Sequence, residues 1–173
     1  MRRVFILACA VLVLSVGLLA DDHTVLFDED IDFAAFKTFS LGEARMTSDR
    51  PELNFPAVMA TLTDRIRTTL AGKGLKELPD RGDLTVQLRV TGVDFSIGPF
   101  GRPNAIRPGG RGGRGGTVDF TEATLVLDLL TGDPATLVWR GVYHDSENDA
   151  RKLAEALPGD AATLLGQYPP RKK

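Results

Sequence analysis

Residues 121–143 read TEATLVLDLLTGDPATLVWRGVY, and their pattern decides the fold. Ala123, Leu125, Leu127 and Leu129 alternate with Thr124, Val126 and Asp128. Period-two alternation puts every second side chain on one side of an extended chain. Thr131-Gly132-Asp133-Pro134-Ala135 follows as a cluster of turn formers. Leu137, Trp139 and Tyr143 then continue the apolar face, with Gly141 between them. Two such runs joined by a short turn predict an antiparallel hairpin. The spacing places Trp139 in the core, in phase with Leu137 and Tyr143.

Working outward, Leu84, Val86, Leu88 and Val90 alternate strictly with Thr85, Gln87 and Arg89, a further half-buried strand. Pro56 to Lys73 carries Val58, Leu62, Ile66 and Leu70 at four-residue spacing, which predicts a helix. Pro56 suits its first turn, and Lys73-Gly74 suits its end. Two short strands are expected near 23–29 and 37–41, with a polar loop over 43–55. Residues 148–167 read as one or two helical pieces broken at Pro158-Gly159. The expected class is α+β. It is a two-layer α/β sandwich with a mostly antiparallel sheet of four or five strands and two helices on one face. Leu84, Val86, Leu88, Leu125, Leu127, Trp139, Val58, Leu62, Ile66 and Leu70 are the expected core.

Composition agrees with one globular domain over residues 21–170: 173 residues, 43% hydrophobic and 25% charged. A formal net charge of −2 gives no reason to expect nucleic acid as a partner. One cysteine and two histidines exclude a disulfide framework and leave little for a metal centre, and no cofactor is implied. Residues 1–20 place Arg2 and Arg3 before a run from Val4 to Ala20 without charge, closed by Asp21-Asp22. This is the layout of a secretory signal peptide, so the expected location is the periplasm or cell envelope. Membrane association through an uncleaved anchor, or through lipidation at Cys9, stays open. Only Val4 to Ala8 precede Cys9 as apolar core. Residues 171–173 form a basic tail.

The order of motifs resembles a bacterial envelope family called domain of unknown function 4136. The residues that carry the likeness begin with Asp32-Phe33…Phe36-Lys37-Thr38-Phe39 and a helix ending Lys73-Gly74-Leu75. Asp83-Leu84-Thr85-Val86, Thr121 to Leu129, Leu137 to Gly141 and a terminal Tyr168-Pro169-Pro170 follow. The resemblance covers roughly residues 24–170. It implies export, usually as a lipoprotein, and a two-layer sandwich. It implies no established activity, cofactor or catalytic residue.

Residues 97–117 hold eight glycines, three prolines and four arginines, and no acid. So much glycine predicts a flexible excursion. Arg102, Arg107, Arg111 and Arg114 are its candidate anion-binding residues, for an anionic envelope polymer or lipid. Strand parity puts Arg89, Val126, Asp128, Val138, Arg140 and Val142 on the sheet face opposite the apolar set, as a candidate partner face. His144 with Asp145 and Glu147 is the one set suggesting a hydrolase or metal-dependent enzyme, as general base and orienter. No nucleophile motif accompanies it, so a non-enzymatic binding or structural module is the first expectation and the partner is unknown. Asp28, Asp30 and Asp32 have the start of a calcium-loop spacing. Phe33 and Phe39 stand where glycine and glutamate are required, so an EF-hand is excluded.

Overall fold

The computed structural model describes residues 22–97, 103–104 and 118–170. The signal-peptide reading, the arginines of the 97–117 segment and the basic tail lie outside the described residues. Within them, seven strands and two helices follow one another in the chain. The elements are β1 (Asp22–Phe27), β2 (Thr38–Ser48), α1 (Pro56–Gly72), β3 (Lys76–Glu77), β4 (Leu84–Ile97), β5 (Pro103–Asn104), β6 (Val118–Thr131), β7 (Thr136–Glu147) and α2 (Ala150–Gly166). A short 3-10 turn, Phe33–Ala35, precedes β2. The strands form one sheet of order β1-β7-β6-β4-β2-β3, with β5 pairing β4 off that path. The sheet is therefore larger than the four or five strands expected. β2 pairs parallel with β3 and β4, and every other pairing is antiparallel.

The central ladder follows the parity of the sequence. Val86 faces Leu129, Leu88 faces Leu127, and Val90 faces Leu125. Leu125 faces Tyr143 and Leu129 faces Trp139 on the next strand. These side chains are buried in one cluster with Leu62, Ile66 and Leu70 of α1 and with Leu153, Leu157, Ala161, Leu164 and Leu165 of α2. Both helices thus cover this one face of the sheet, and among the described residues no helix covers the other. Val58 lies at the margin of the cluster, half-buried rather than central.

Four local expectations are corrected. β2 does not end at 41; it runs to Ser48, through residues read as loop. β4 and β6 extend to Ile97 and back to Val118, so the hairpin reaches beyond the helix-covered ladder. α2 is continuous through Pro158. Proline in a helix interior costs about 3 kcal/mol, but the buried leucine stripe on either side holds the axis. Asp149 also caps the first turn, its carboxylate accepting from Arg151 N at 3.0 Å. Finally, Leu137 is exposed and Val138 is buried, the reverse of strict alternation. The register shifts between Leu129 and Leu130, leaving Val138 as an extra residue. A β-bulge re-aims the side chains around it, so Val138 joins Trp139 in the core and Leu137 turns to the open face.

Arg81-Gly82-Asp83 serves the fold. The chain leaves β3 outside β2 and enters β4 inside it, stepping over the start of β2. Asp83 accepts from the backbone N–H groups of Lys37 and Thr38, at 2.8 and 2.9 Å, and its own N–H donates to Thr38 Oγ1 at 2.8 Å. The Lys37 N–H above all, with the Thr38 hydroxyl and N–H, holds the Asp83 carboxyl below the usual carboxylate range. Asp83→Ala is expected to cost about 0.5–2 kcal/mol at neutral pH, the range for losing a cap of this kind. Because the folded carboxyl titrates lower than the unfolded one, its contribution is complete above the unfolded value, about 3.9, and fades as pH falls through the folded one. Urea unfolding of both proteins should show the gap closing below about pH 4. A gap constant down to pH 2.5 or so would assign the loss to packing instead.

Candidate functional site

The uncovered sheet face is built from the odd positions of β4 and the even positions of β6 and β7. Gln87, Asp128 and Arg140 stand in one row across the three strands, and Arg89, Val126 and Val142 in the next. Asp128 is 4% exposed although it sits on this open face. Two arginines cover it. Arg140 makes a two-pronged contact, Nε to Oδ1 at 2.6 Å and Nη2 to Oδ2 at 2.7 Å. Arg89 Nη2 adds a third donor to Oδ2 at 3.1 Å. The Asp128 hydrogen bond holds the Arg140 guanidinium above its ordinary value, so it stays charged. A buried carboxylate satisfied by three charge-assisted hydrogen bonds fixes the orientation of both arginines.

A shallow cavity of about 290 Å³ opens over this group, lined by Glu43, Arg45, Gln87, Arg89, Asp128, Leu130, Leu137 and Arg140. Glu43 and Arg45 were not found by sequence reasoning, because they fall in the stretch read as loop. A register shift between Leu41 and Ala44 places them there. Leu41 pairs with Val86 and Ala44 with Leu88, so the extra residue reverses parity and turns Arg45 to the same side as Arg89, its register partner. Gly42, isolated in an otherwise strand-like run, was the available signal for a bulge. A second, smaller cavity of about 200 Å³ adjoins along Arg89, Thr91, Thr124, Val126, Arg140 and Val142.

Of the six candidate face residues, five lie together on this face. Val138 does not, for the reason given by its bulge. The hydrolase set is not brought together. His144 and Asp145 are neighbours on one strand and so point to opposite faces. His144 Nδ1 meets Thr124 Oγ1 at 3.0 Å on the open face. Asp145 accepts from the Ser146 N–H, and Glu147 lies 3.6 Å from Lys152 Nζ. The Asp28–Asp32 stretch is local turn structure: Asp28 accepts from Asp30 N, and Asp32 from Ala34 N. Among the described residues no group of three or more His, Cys, Asp or Glu side chains could hold a metal ion.

The fold and this row of residues place the chain in a class of small α/β sandwiches with one sheet face that no described helix covers. The chain belongs to the family described as domain of unknown function (DUF4136), which matches residues 24–170. The chain is also similar to three solved structures. A DUF4136 family protein from Bacteroides thetaiotaomicron is 14% identical, with TM-score 0.50 over 87% of this chain and 96% of that one. A PDZ domain protein from Parabacteroides distasonis is 18% identical, with TM-score 0.57 over 87% of this chain. The chain spans 36% of that protein's length. A minor lipoprotein from Acinetobacter baumannii is 14% identical, with TM-score 0.39 over 76% of this chain and 91% of that one. No curated protein matches.

Proposed function

We propose that this protein is an exported, non-enzymatic binding module of the bacterial cell envelope, and that the bare sheet face is its working surface. The leader-like residues 1–20 support export. The observation that carries the reading is the open face itself. It leaves Leu137 exposed and Val126, Val142 and Leu130 half-buried around a fixed arginine–aspartate group, while both helices serve the other side. Exposed apolar side chains around oriented polar anchors are the composition of a recognition surface.

The test is photo-cross-linking in native envelopes. A photoreactive residue at Val142 should capture a discrete species, and one at Glu155 on the exposed side of α2 should not. Arg89→Glu, which leaves the two-pronged Arg140–Asp128 pair to hold the fold, should abolish capture at Val142. Capture unaffected by charge reversal, or equal capture from Glu155, would remove this face as the working surface.

A further inference from the structure

We infer that the cavity between the two bulges is a binding site for a phosphate group, gripped by Arg45, Arg89 and Arg140. The inference deepens the reading of the open face as the binding surface, and rests on it.

Charge is the first observation. The cavity gathers three guanidinium groups and two carboxylates, and both carboxylates are already engaged. Glu43 accepts from Arg45, and Asp128 accepts from Arg140 and Arg89. One positive charge is left over, and Arg89 is the group with the most to spare. It spends a single donor on Asp128, and its side chain is 54% exposed. A guanidinium offers five N–H donors, so Arg89, which lines the cavity, keeps donors to spare among the described residues.

Placement is the second. Arg45 and Arg89 are register partners on adjacent strands, on one face. Like charges directly opposite destabilise a sheet, and a bound anion between them relieves that cost. The pairing arises through the β2 bulge, which turns Arg45 to this side. On the far side of the cavity, the Val138 bulge lets Leu137 and Arg140, three residues apart, share the face. Bulges gather beside functional sites because the extra residue re-aims the side chains around it. Here two of them frame one cavity.

Chemistry selects the ligand. Planar guanidinium forks match an anion with several acceptor oxygens, and three forks from three strands suit a tetrahedral phosphate better than a planar carboxylate. Asp128 pre-orients two of the forks, so little side-chain order is lost on binding. Leu130 and Leu137 give one wall an apolar lining, fitted to the carbon skeleton of a phosphate ester.

The test uses inorganic phosphate on the purified protein, followed by calorimetric titration and by thermal unfolding at matched ionic strength in chloride. Phosphate should bind saturably and raise the melting temperature, and chloride should do neither. Arg89→Gln and Arg45→Gln should each weaken phosphate binding about tenfold or more, the worth of one charge-assisted hydrogen bond. Arg89→Lys keeps the charge and loses the fork, so it should fall between. Both side chains are more than half exposed, so in chloride Arg45→Gln should melt like the wild type, and Arg89→Gln, which gives up one of three bonds to Asp128, only slightly lower. Vesicles of phosphatidylglycerol separate the sources. Retention that Arg89→Gln abolishes marks a lipid headgroup, and phosphate binding without retention marks a soluble phosphate ester. Phosphate no better than chloride, or full affinity in Arg89→Gln, overturns the site. Envelope capture through Val142 that survives such a result would show that the binding face stands and the phosphate site alone is wrong.

Discussion

Trp139→Ala is expected to lose about 3–5 kcal/mol of folding stability, the range for truncating a fully buried large aromatic. Trp139 is 0% exposed at the join of β7, α2 and the C-terminal segment. Its ring meets Tyr168 edge-on, with centroids 6.4 Å apart at 90°. Tyr168 meets Phe33 in turn at 5.8 Å, and Phe33 meets Phe27 and Phe36 at 6.2 and 6.1 Å. Edge-to-face pairs add to area burial, so the loss propagates along β1 and the turn before β2. Burial also pushes the Tyr168 hydroxyl up to about 12, as befits a ring sealed into this cluster. The indole tip fills space that Gly141 leaves. A Cβ at Gly141 would lie 2.6 Å from the ring. The void left by alanine cannot be closed by moving one neighbour. Trp139 Nε1 has no hydrogen-bond partner among the described residues, so Trp139→Phe removes an unsatisfied donor along with volume and should lose less than half as much. Denaturant unfolding decides the matter. A loss under about 1 kcal/mol for alanine would show that the ring is not a core element.

How the sequence led to this placement, and where it misled, has one physical cause. Alternation carries information only while the ladder keeps its register. Leu84 to Val90 and Ala123 to Leu129 pair without interruption, and every inward and outward assignment in them holds, including Arg89 and Asp128 on one face. β7 follows the same rule from Trp139 onward, so Trp139 and Arg140 were legible. Val138 and Leu137 lie across a bulge, where an extra residue inverts parity, and both were misassigned. In β2 the inversion falls between Leu41 and Ala44, and polar residues after Gly42 read as a loop. Arg45 and Glu43, two of the cavity's five charged lining residues, were lost with it. Pro158 misled differently. Its local preference is real, but α2 is held by a buried leucine stripe whose tertiary packing outweighs propensity. The asymmetry follows from range: period and parity are local, whereas a bulge is set by the partner strand.

The second large effect is expected at Gly82, where no apolar pattern marks importance. Gly82→Ala should destabilise by about 3 kcal/mol, the upper end for overpacking. A Cβ built there would stand 2.4 Å from Phe39 C, 2.5 Å from its Cα and 2.7 Å from its N. Overpacking against a side chain is relieved by a rotamer change, but these are main-chain atoms. Phe39 is 1% exposed and cannot withdraw. Its carbonyl also accepts from Leu78 N at 2.8 Å, on the same crossing of the chain over β2. Moving Gly82 outward would instead pull Asp83 from the N–H groups of Lys37 and Thr38 and shift Thr131 Oγ1, which donates to Asp83 O at 2.8 Å. The step from β3 over β2 into β4 is therefore possible only with hydrogen in place of a side chain at 82. For a domain of this size about 3 kcal/mol corresponds to a melting temperature lower by roughly 6–12 °C. Gly72→Ala is the matched control. It ends α1 with nothing within 4 Å of an added Cβ, and should be neutral or stabilising by about 0.5–1 kcal/mol. Melting curves of the two variants should part in opposite directions. If Gly82→Ala melts with the wild type, the close crossing over Phe39 is not a feature of the protein in solution.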